Sequence, residues 1–376
     1  MALFSSFFNK QAEPRVIGID IGSSAIKIVQ FKKHGAQAVL ETYGELSLGP
    51  YAGLAIGQAT QLPTDKLAAA LTDLMKEKEV NITTSKCGLS IPFASSLMSV
   101  IELPEVSAKQ LATMVPLEAR KYIPVPISEV MLDWSVIPKS EIASEPTEMA
   151  ELGAPVVEPS VALPKIDVLT VAIHKDTIAK YQDIVVKAGL EASFFEIEIF
   201  STMRAVLDES LRPVMIMDMG AASTKLYIVE RGIIRSSHTV NRGSQDITST
   251  ISKSLNIPMD KAEVMKREQG LSGTDTAFNE IITLVLDYIF AEVNTTLLAF
   301  EKKYNKTVAK AVLVGGGAAL KGLVELAKTN FKTEVEKAEP FDKVTAPAFL
   351  ENILKETGPE FAVAIGLALR KLSEEG

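Results

Sequence analysis

The stretch Val16-Ile17-Gly18-Ile19-Asp20-Ile21-Gly22-Ser23-Ser24-Ala25-Ile26-Lys27 decides the fold, because the chain repeats its skeleton in Val214-Met215-Ile216-Met217-Asp218-Met219-Gly220-Ala221-Ala222 and Lys225. Asp20 and Asp218, Gly22 and Gly220, and Lys27 and Lys225 share one common offset. Side chains alternate between the faces of a strand, so Gly18, Asp20 and Gly22 share one face while Ile17, Ile19 and Ile21 go to the core. An Asp closing an apolar strand is costly unless it has a partner. A hydrated divalent cation is such a partner, since hard cations take carboxylate oxygen and water. The glycine and the small residues after it allow a tight turn whose successive N–H groups cradle an anion. A single copy reads equally well as a plain β-hairpin with a capping Asp. Two copies in register point to two similar domains facing one ligand.

The 376 residues call for two domains or more. With 47% hydrophobic and 23% charged residues the composition is that of a soluble globular protein. The formal net charge of −8 gives no basic nucleic-acid footprint. The single cysteine, Cys87, excludes an internal disulfide and fits a reducing compartment. Together with 3 histidines it leaves no soft-metal cluster. No run has the length of a transmembrane span; the apolar stretch 281–290 is interrupted by Asp287, is followed by Glu292, and reads as a buried amphipathic helix. Leu3, Phe4, Phe7 and Phe8 fall at helical spacing, which suits either a small anchor for a partner or membrane surface, or a frayed tail.

Along the chain, residues 15–31 read as two strands around the Asp-Gly turn and 38–46 as a third. Thr64 is the expected N-cap of a helix carrying Leu67, Leu71, Leu74 and Met75, and 87–91 is a short strand. This is the opening of an α/β layer domain. From about Phe93 to His174 the rhythm breaks into Ser107-capped helical material, a strand over 130–137 with the lone Trp134, a disordered segment over 139–165 and a strand over 168–173. Helices follow at 176–189, 244–255, 259–268, 279–304 and 359–372, and a strand over 310–314 ends in Gly315-Gly316-Gly317, which opens a helix.

Three features beyond the hairpins point to a nucleotide. The triple glycine lets backbone approach a ring or phosphate closely, unless it serves only a sharp turn. Glu263, Lys266 and Arg267 share one helical face, which reads also as a solvated salt-bridge face. Gly243 precedes a helix N-terminus, a natural anion site or an ordinary cap.

This order of motifs resembles the superfamily of actin, heat-shock chaperones and sugar kinases. Within it the chain is similar to the PilM family of type IV pilus assembly, itself related to the division protein FtsA. The closer match is carried by 17–27, by Glu118-Ala119-Arg120-Lys121-Tyr122-Ile123-Pro124, by Glu198-Ile199-Phe200 and by 362–370. The resemblance implies an α/β, actin-like ATPase fold: two RNase H-like domains around a nucleotide cleft, with an FtsA-like α+β subdomain inserted in the first. The domains implied are 1A over 14–92 and 175–210, the insert 1C over 93–174, 2A over 211–240 and 309–376, and 2B over 241–308, with the C-terminal helix returning to the domain interface.

The resemblance further implies ATP and Mg²⁺, the ion held through water by Asp20 and Asp218. Gly22, Ser23, Ser24 and Lys27 would meet phosphates from one side, and Gly220, Ala221, Ala222 and Gly243 from the other. Glu263 and Lys266 would contact ribose or adenine, with Gly315, Gly316 and Gly317 behind the adenosine. Glu198 falls where relatives carry a water-positioning acid, and slow hydrolysis at most is expected. The partner implied is the N-terminal cytoplasmic peptide of a PilN-like membrane protein, with other platform proteins and the pilus motor ATPase beside it, at the cytoplasmic face of the inner membrane. The peptide would lie in a groove beside the insert, where Val100, Leu103 and Leu111 read better as core. An FtsA-like filament protein is the alternative, disfavoured because the chain ends Arg370-Lys371-Leu372-Ser373-Glu374-Glu375-Gly376 without a basic amphipathic helix. A sugar kinase is disfavoured because no segment matches a substrate acid-base carboxylate.

Overall fold

The computed structural model describes residues 14–137, 164–208 and 210–374. The Phe-rich N-terminal segment and nearly all of the 139–165 segment lie outside the described residues. In chain order the strands and helices are β1 (Arg15–Ile21), β2 (Ala25–His34), β3 (Gln37–Ser47), α1 (Thr64–Lys76), β4 (Lys86–Ile91), β5 (Ser96–Pro104), α2 (Ala108–Ala119), β6 (Val130–Ile137), β7 (Lys165–His174), α3 (Lys175–Lys187), β8 (Glu191–Ile197) and α4 (Glu198–Val206). The second half continues with β9 (Val214–Met219), β10 (Thr224–Glu230), β11 (Ile233–Val240), α5 (Ser244–Leu255), α6 (Met259–Gln269), α7 (Thr276–Tyr304), β12 (Lys310–Val314), α8 (Leu323–Asn330), β13 (Glu334–Lys337), α9 (Glu351–Thr357) and α10 (Ala362–Glu374).

The described residues divide into two compact units, one drawn from 14–92 and 180–374, the other from 93–179. The larger holds two five-stranded sheets of like topology, β3-β2-β1-β4-β8 and β11-β10-β9-β12-β13. In each, three antiparallel strands are followed by two parallel ones. The register repeats as well: Asp20 stands opposite Lys27 and Asp218 opposite Lys225. The hydrophobic run of β9 is buried along its whole length, as expected for a central strand covered on both faces.

α10 packs against β1, β4 and α4. It approaches so closely that a Cβ on Gly18 would collide with the carbonyl of Ala364, and one on Gly366 with the carbonyl of Ser201. α7 is long and apolar enough to cross a membrane. Its stripe of Phe278, Ile282, Val285, Leu286, Ile289, Phe290, Val293 and Phe300 instead fills the core of the second sheet.

The smaller unit is an antiparallel sheet, β5-β7-β6, with α2 on one face. Ser107 accepts from the Gln110 backbone N–H and Gln110 answers from its side chain, a complete capping box. Leu103 and Leu111 are core, while Val100 is exposed.

Several local expectations shift. Pro63, not Thr64, holds the cap position of α1, and no side chain caps it. The last two of the three glycines open a 3₁₀ turn, Gly316–Ala319, and α8 begins only at Leu323. β11 and β13 carry too much polar sequence to stand out by periodicity; pairing makes them strands.

Candidate functional site

Both Asp-Gly turns close identically: the Gly22 N–H donates to the Ala25 carbonyl at 3.0 Å, and the Gly220 N–H to the Ser223 carbonyl at 3.0 Å. The two turns bring Asp20 and Asp218 to the wall of one cavity of about 330 Å³. Also on that wall are Gly22, Ser23, Ser24, Lys27, Glu198, Gly220, Ala221, Ala222, Glu263, Lys266, Gly315, Gly316 and Gly317.

Gly243 is the predicted residue that does not reach the wall. It seats α5 on the second turn, where a Cβ would collide with the Ala221 carbonyl. The first N–H groups of α5 are used there as well. Ser244 donates to the Gly220 carbonyl at 2.9 Å and Gln245 to the Ala221 carbonyl at 3.1 Å. The expected anion site at this helix end is therefore a joint between helix and hairpin.

The carboxylates sit in low-dielectric surroundings. Burial pushes Asp20 upward, and the Lys27 charge and the Ser90 hydroxyl, which donates to its carboxylate at 2.8 Å, only partly offset that. Glu198 opens α4 and is 8% exposed. Burial raises it too, with Lys225 opposing and Asp218 and Asp20 adding to the rise. Lys225 Nζ lies 2.7 Å from Glu198 and 3.5 Å from Asp218. Burial would lower Lys225, but those anions outweigh it and hold the ammonium above its usual range. Lys27 instead faces Glu45, its cross-strand neighbour on β3, at 3.4 Å.

Glu263 and Lys266 are buried, so the solvated-face reading falls for these two, while Arg267 beside them is exposed. Glu263 meets Lys266 at 2.7 Å and Arg267 at 2.7 Å, and accepts from the Thr248 hydroxyl at 2.6 Å. Burial raises the Glu263 carboxyl, but Lys266, the Thr248 hydroxyl and Arg267 together outweigh it and the net shift is downward. Gly315 adopts φ +85°, and a Cβ there would collide with the Asp218 carboxylate. Gly317 packs on Met219.

Sequence reasoning missed Ser90, Glu45, Gly57, Lys321 and Glu360, and left Lys225 without a role. Glu45 could have been found from the β2–β3 register; Glu360 has no local signal, since a turn before α10 brings it to the cavity. Burial, the neighbouring Glu45 charge and incomplete compensation by Lys27 and Arg267 push Glu360 up to about 7.

Among the described residues no cluster of three or more His, Cys, Asp or Glu side chains forms a direct metal site. Two carboxylates at facing hairpins suit a cation that keeps its water, as Mg²⁺ does. The glycine walls, two small-residue turns and cavity lysines suit a phosphate chain and a flat base.

Comparison with known proteins agrees with this architecture. A solved structure described as a PilM-PilN type IV pilus biogenesis complex superposes with TM-score 0.77 at 25% identity, covering 95% of this chain and 98% of that one. An MreB protein of Spiroplasma citri bound to AMPPNP shares the fold, with TM-score 0.51 at 12% identity over 96% of this chain and 97% of that one. The cell division protein FtsA of Neisseria meningitidis serogroup B is 24% identical over 339 residues, 81% of this chain and 80% of FtsA. The Helicobacter pylori FtsA is 27% identical over 243 residues, 54% of this chain and 48% of the relative, so the match spans about half that protein. The fold is that of the actin-like ATPases. The sequence model of the type IV pilus assembly protein PilM family matches residues 18–372, and the chain belongs to that family.

Proposed function

We propose that this chain is an ATP-binding, actin-like scaffold of the type IV pilus inner-membrane platform that captures the N-terminal cytoplasmic peptide of a PilN-like protein. The observation that carries this reading is the likeness to the PilM-PilN complex over 95% of this chain, joined to family membership. The reading places the protein at the cytoplasmic face of the inner membrane, with other platform proteins and the motor ATPase as further partners. Its domains would follow the 1A, 1C, 2A and 2B division given above.

In the cleft, Asp20 and Asp218 hold Mg²⁺ through water. Gly22, Ser23, Ser24 and Lys27 meet the phosphates from one hairpin, and Gly220, Ala221 and Ala222 from the other. Glu263 and Lys266 form a pre-paired wall for ribose or adenine, and Gly315, Gly316 and Gly317 back the base. Bound ATP supplies the charge that both lobes grip, so its binding favours one arrangement of the lobes for a partner to read. Glu198 positions water, and hydrolysis is slow because the site offers few charge clamps for phosphoryl transfer.

Titration of a fluorescent ATP analogue with Mg²⁺, beside pull-down with a PilN-like N-terminal peptide, tests the two halves of the reading. Binding of both is expected. No nucleotide binding by the intact protein would sink the first half, and no peptide capture the second. The FtsA relatives favour a second reading, a filament-forming protein. ATP-dependent sedimentation without peptide capture would select it.

A further inference from the structure

The two hairpins present Asp and Lys in the same cross-strand register, yet their lysines have different partners. Lys27 turns to Glu45 at 3.4 Å. Lys225 reaches across to Glu198 at 2.7 Å while remaining 3.5 Å from Asp218. Both side chains of the Lys225–Glu198 pair are largely buried, at 17% and 10% exposed. Such a pair is held firmly, because separating it would leave a charge uncompensated in poor solvent.

Resting on the nucleotide reading above, we infer that Lys225 is a built-in brake: its ammonium occupies the Glu198 carboxylate and keeps a bound nucleoside triphosphate from being hydrolysed. Hydrolysis joins a water oxygen to the terminal phosphorus and breaks the bond from that phosphorus to the bridging oxygen. The bridging oxygen leaves with its electron pair on the diphosphate, and the proton of the attacking water passes to a carboxylate. An ammonium at 2.7 Å weakens the pull that this buried carboxylate would otherwise have on that proton. Lys225 is thus a positioning residue that acts through Glu198, and the asymmetry of the hairpins gets a purpose. The Lys27 hairpin grips phosphate; the Lys225 hairpin keeps the grip long-lived. The same ammonium faces Asp218 and competes with a cation for the cleft.

The test uses the full chain and four variants, Lys225→Met, Lys225→Arg, Glu198→Gln and the Lys225→Met/Glu198→Gln double. ATP analogue affinity, the Mg²⁺ concentration for half-maximal nucleotide binding, and single-turnover hydrolysis are measured for each. The brake predicts that Lys225→Met raises the hydrolysis rate roughly tenfold or more while nucleotide affinity stays within about threefold. It also predicts half-saturation at lower Mg²⁺. Lys225→Arg, which keeps the charge, should return to the wild-type rate, and the double variant should lose the gain. If Lys225→Met is too unstable to purify, Lys225→Gln carries the same test with a smaller rise. Loss of nucleotide affinity without a faster rate would make Lys225 a phosphate contact and overturn the brake while leaving the nucleotide reading intact. A faster rate that survives in the double variant would overturn the part played by Glu198. If the wild type binds no nucleotide, the underlying reading fails instead.

Discussion

At the residue scale, the cleft is shaped as much by missing side chains as by charged ones. Gly315 holds φ +85° beside the Asp218 carboxylate. Gly315→Ala is expected to cost about 1–3 kcal/mol of stability, read as a lower urea midpoint, and to weaken Mg-ATP binding by displacing Asp218. Unchanged nucleotide affinity would separate the turn from the ligand. Glu360 makes a second prediction. Its folded value is pushed from 4.5 up to about 7, so its contribution is fully present below pH 4.5 and fades as pH rises to about 7. Glu360→Gln should therefore gain stability over the wild type across that window, on the order of 1–3 kcal/mol at pH 8, with little difference at pH 4. A constant difference between the two melts across pH would refute this. Asp20, Asp218 and the triple glycine are legible in sequence because each sits in a local pattern. Glu45 and Glu360 are not, because their relation to Lys27 exists only after strands pair and the chain returns.

At the element scale, α10 is the clasp of the first sheet. The small residues Gly18 and Gly366 let it lie against β1 and α4, the elements that carry Asp20 and Glu198. Glu196 locks it there. The carboxylate meets Arg204 at 2.8 Å and Arg370 at 2.8 Å and accepts from the Ser201 hydroxyl at 2.5 Å. Arg370 also stacks over Phe194 at 4.2 Å. Burial would raise the Glu196 carboxyl, but Arg204, the Ser201 hydroxyl and Arg370 together outweigh it and the net shift is downward. Its stabilisation is thus present above about pH 4.5 and lost as pH falls through the depressed folded value. Glu196→Gln should cost about 1–3 kcal/mol at pH 7, below the usual cost of breaking a buried pair because both guanidiniums are about one-third exposed. The gap between variant and wild type should narrow as pH falls through that depressed value; urea melts over a descending pH series from about pH 7 check this. The helix and its small residues can be read from sequence. That they press on the backbone beneath Asp20 cannot, since the spacing of alanines and glycines says nothing about which surface they meet.

At the scale of the whole molecule, one cavity draws residues from both sheets, so a ligand there binds only the assembled form. Mg-ATP at about one hundred times its dissociation constant should stabilise the protein by about 2.7 kcal/mol, seen as a rise in Tm that Asp20→Ala abolishes. A Tm indifferent to Mg-ATP would contradict nucleotide binding at this site. By itself the sequence determined the duplicated hairpin, its buried and polar faces, the small-residue turns and membership in an actin-like family, because period-two alternation and short-range turn chemistry are local properties of the chain. Only the tertiary structure decided that Lys225 answers Glu198 while Lys27 answers Glu45, that Gly243 seats a helix and lies off the cavity wall, and that Glu263 is buried and paired. Those outcomes depend on which distant segments share a low-dielectric space. In such a space a charge takes the nearest opposite charge that the fold brings within about 4 Å, whatever its distance in sequence.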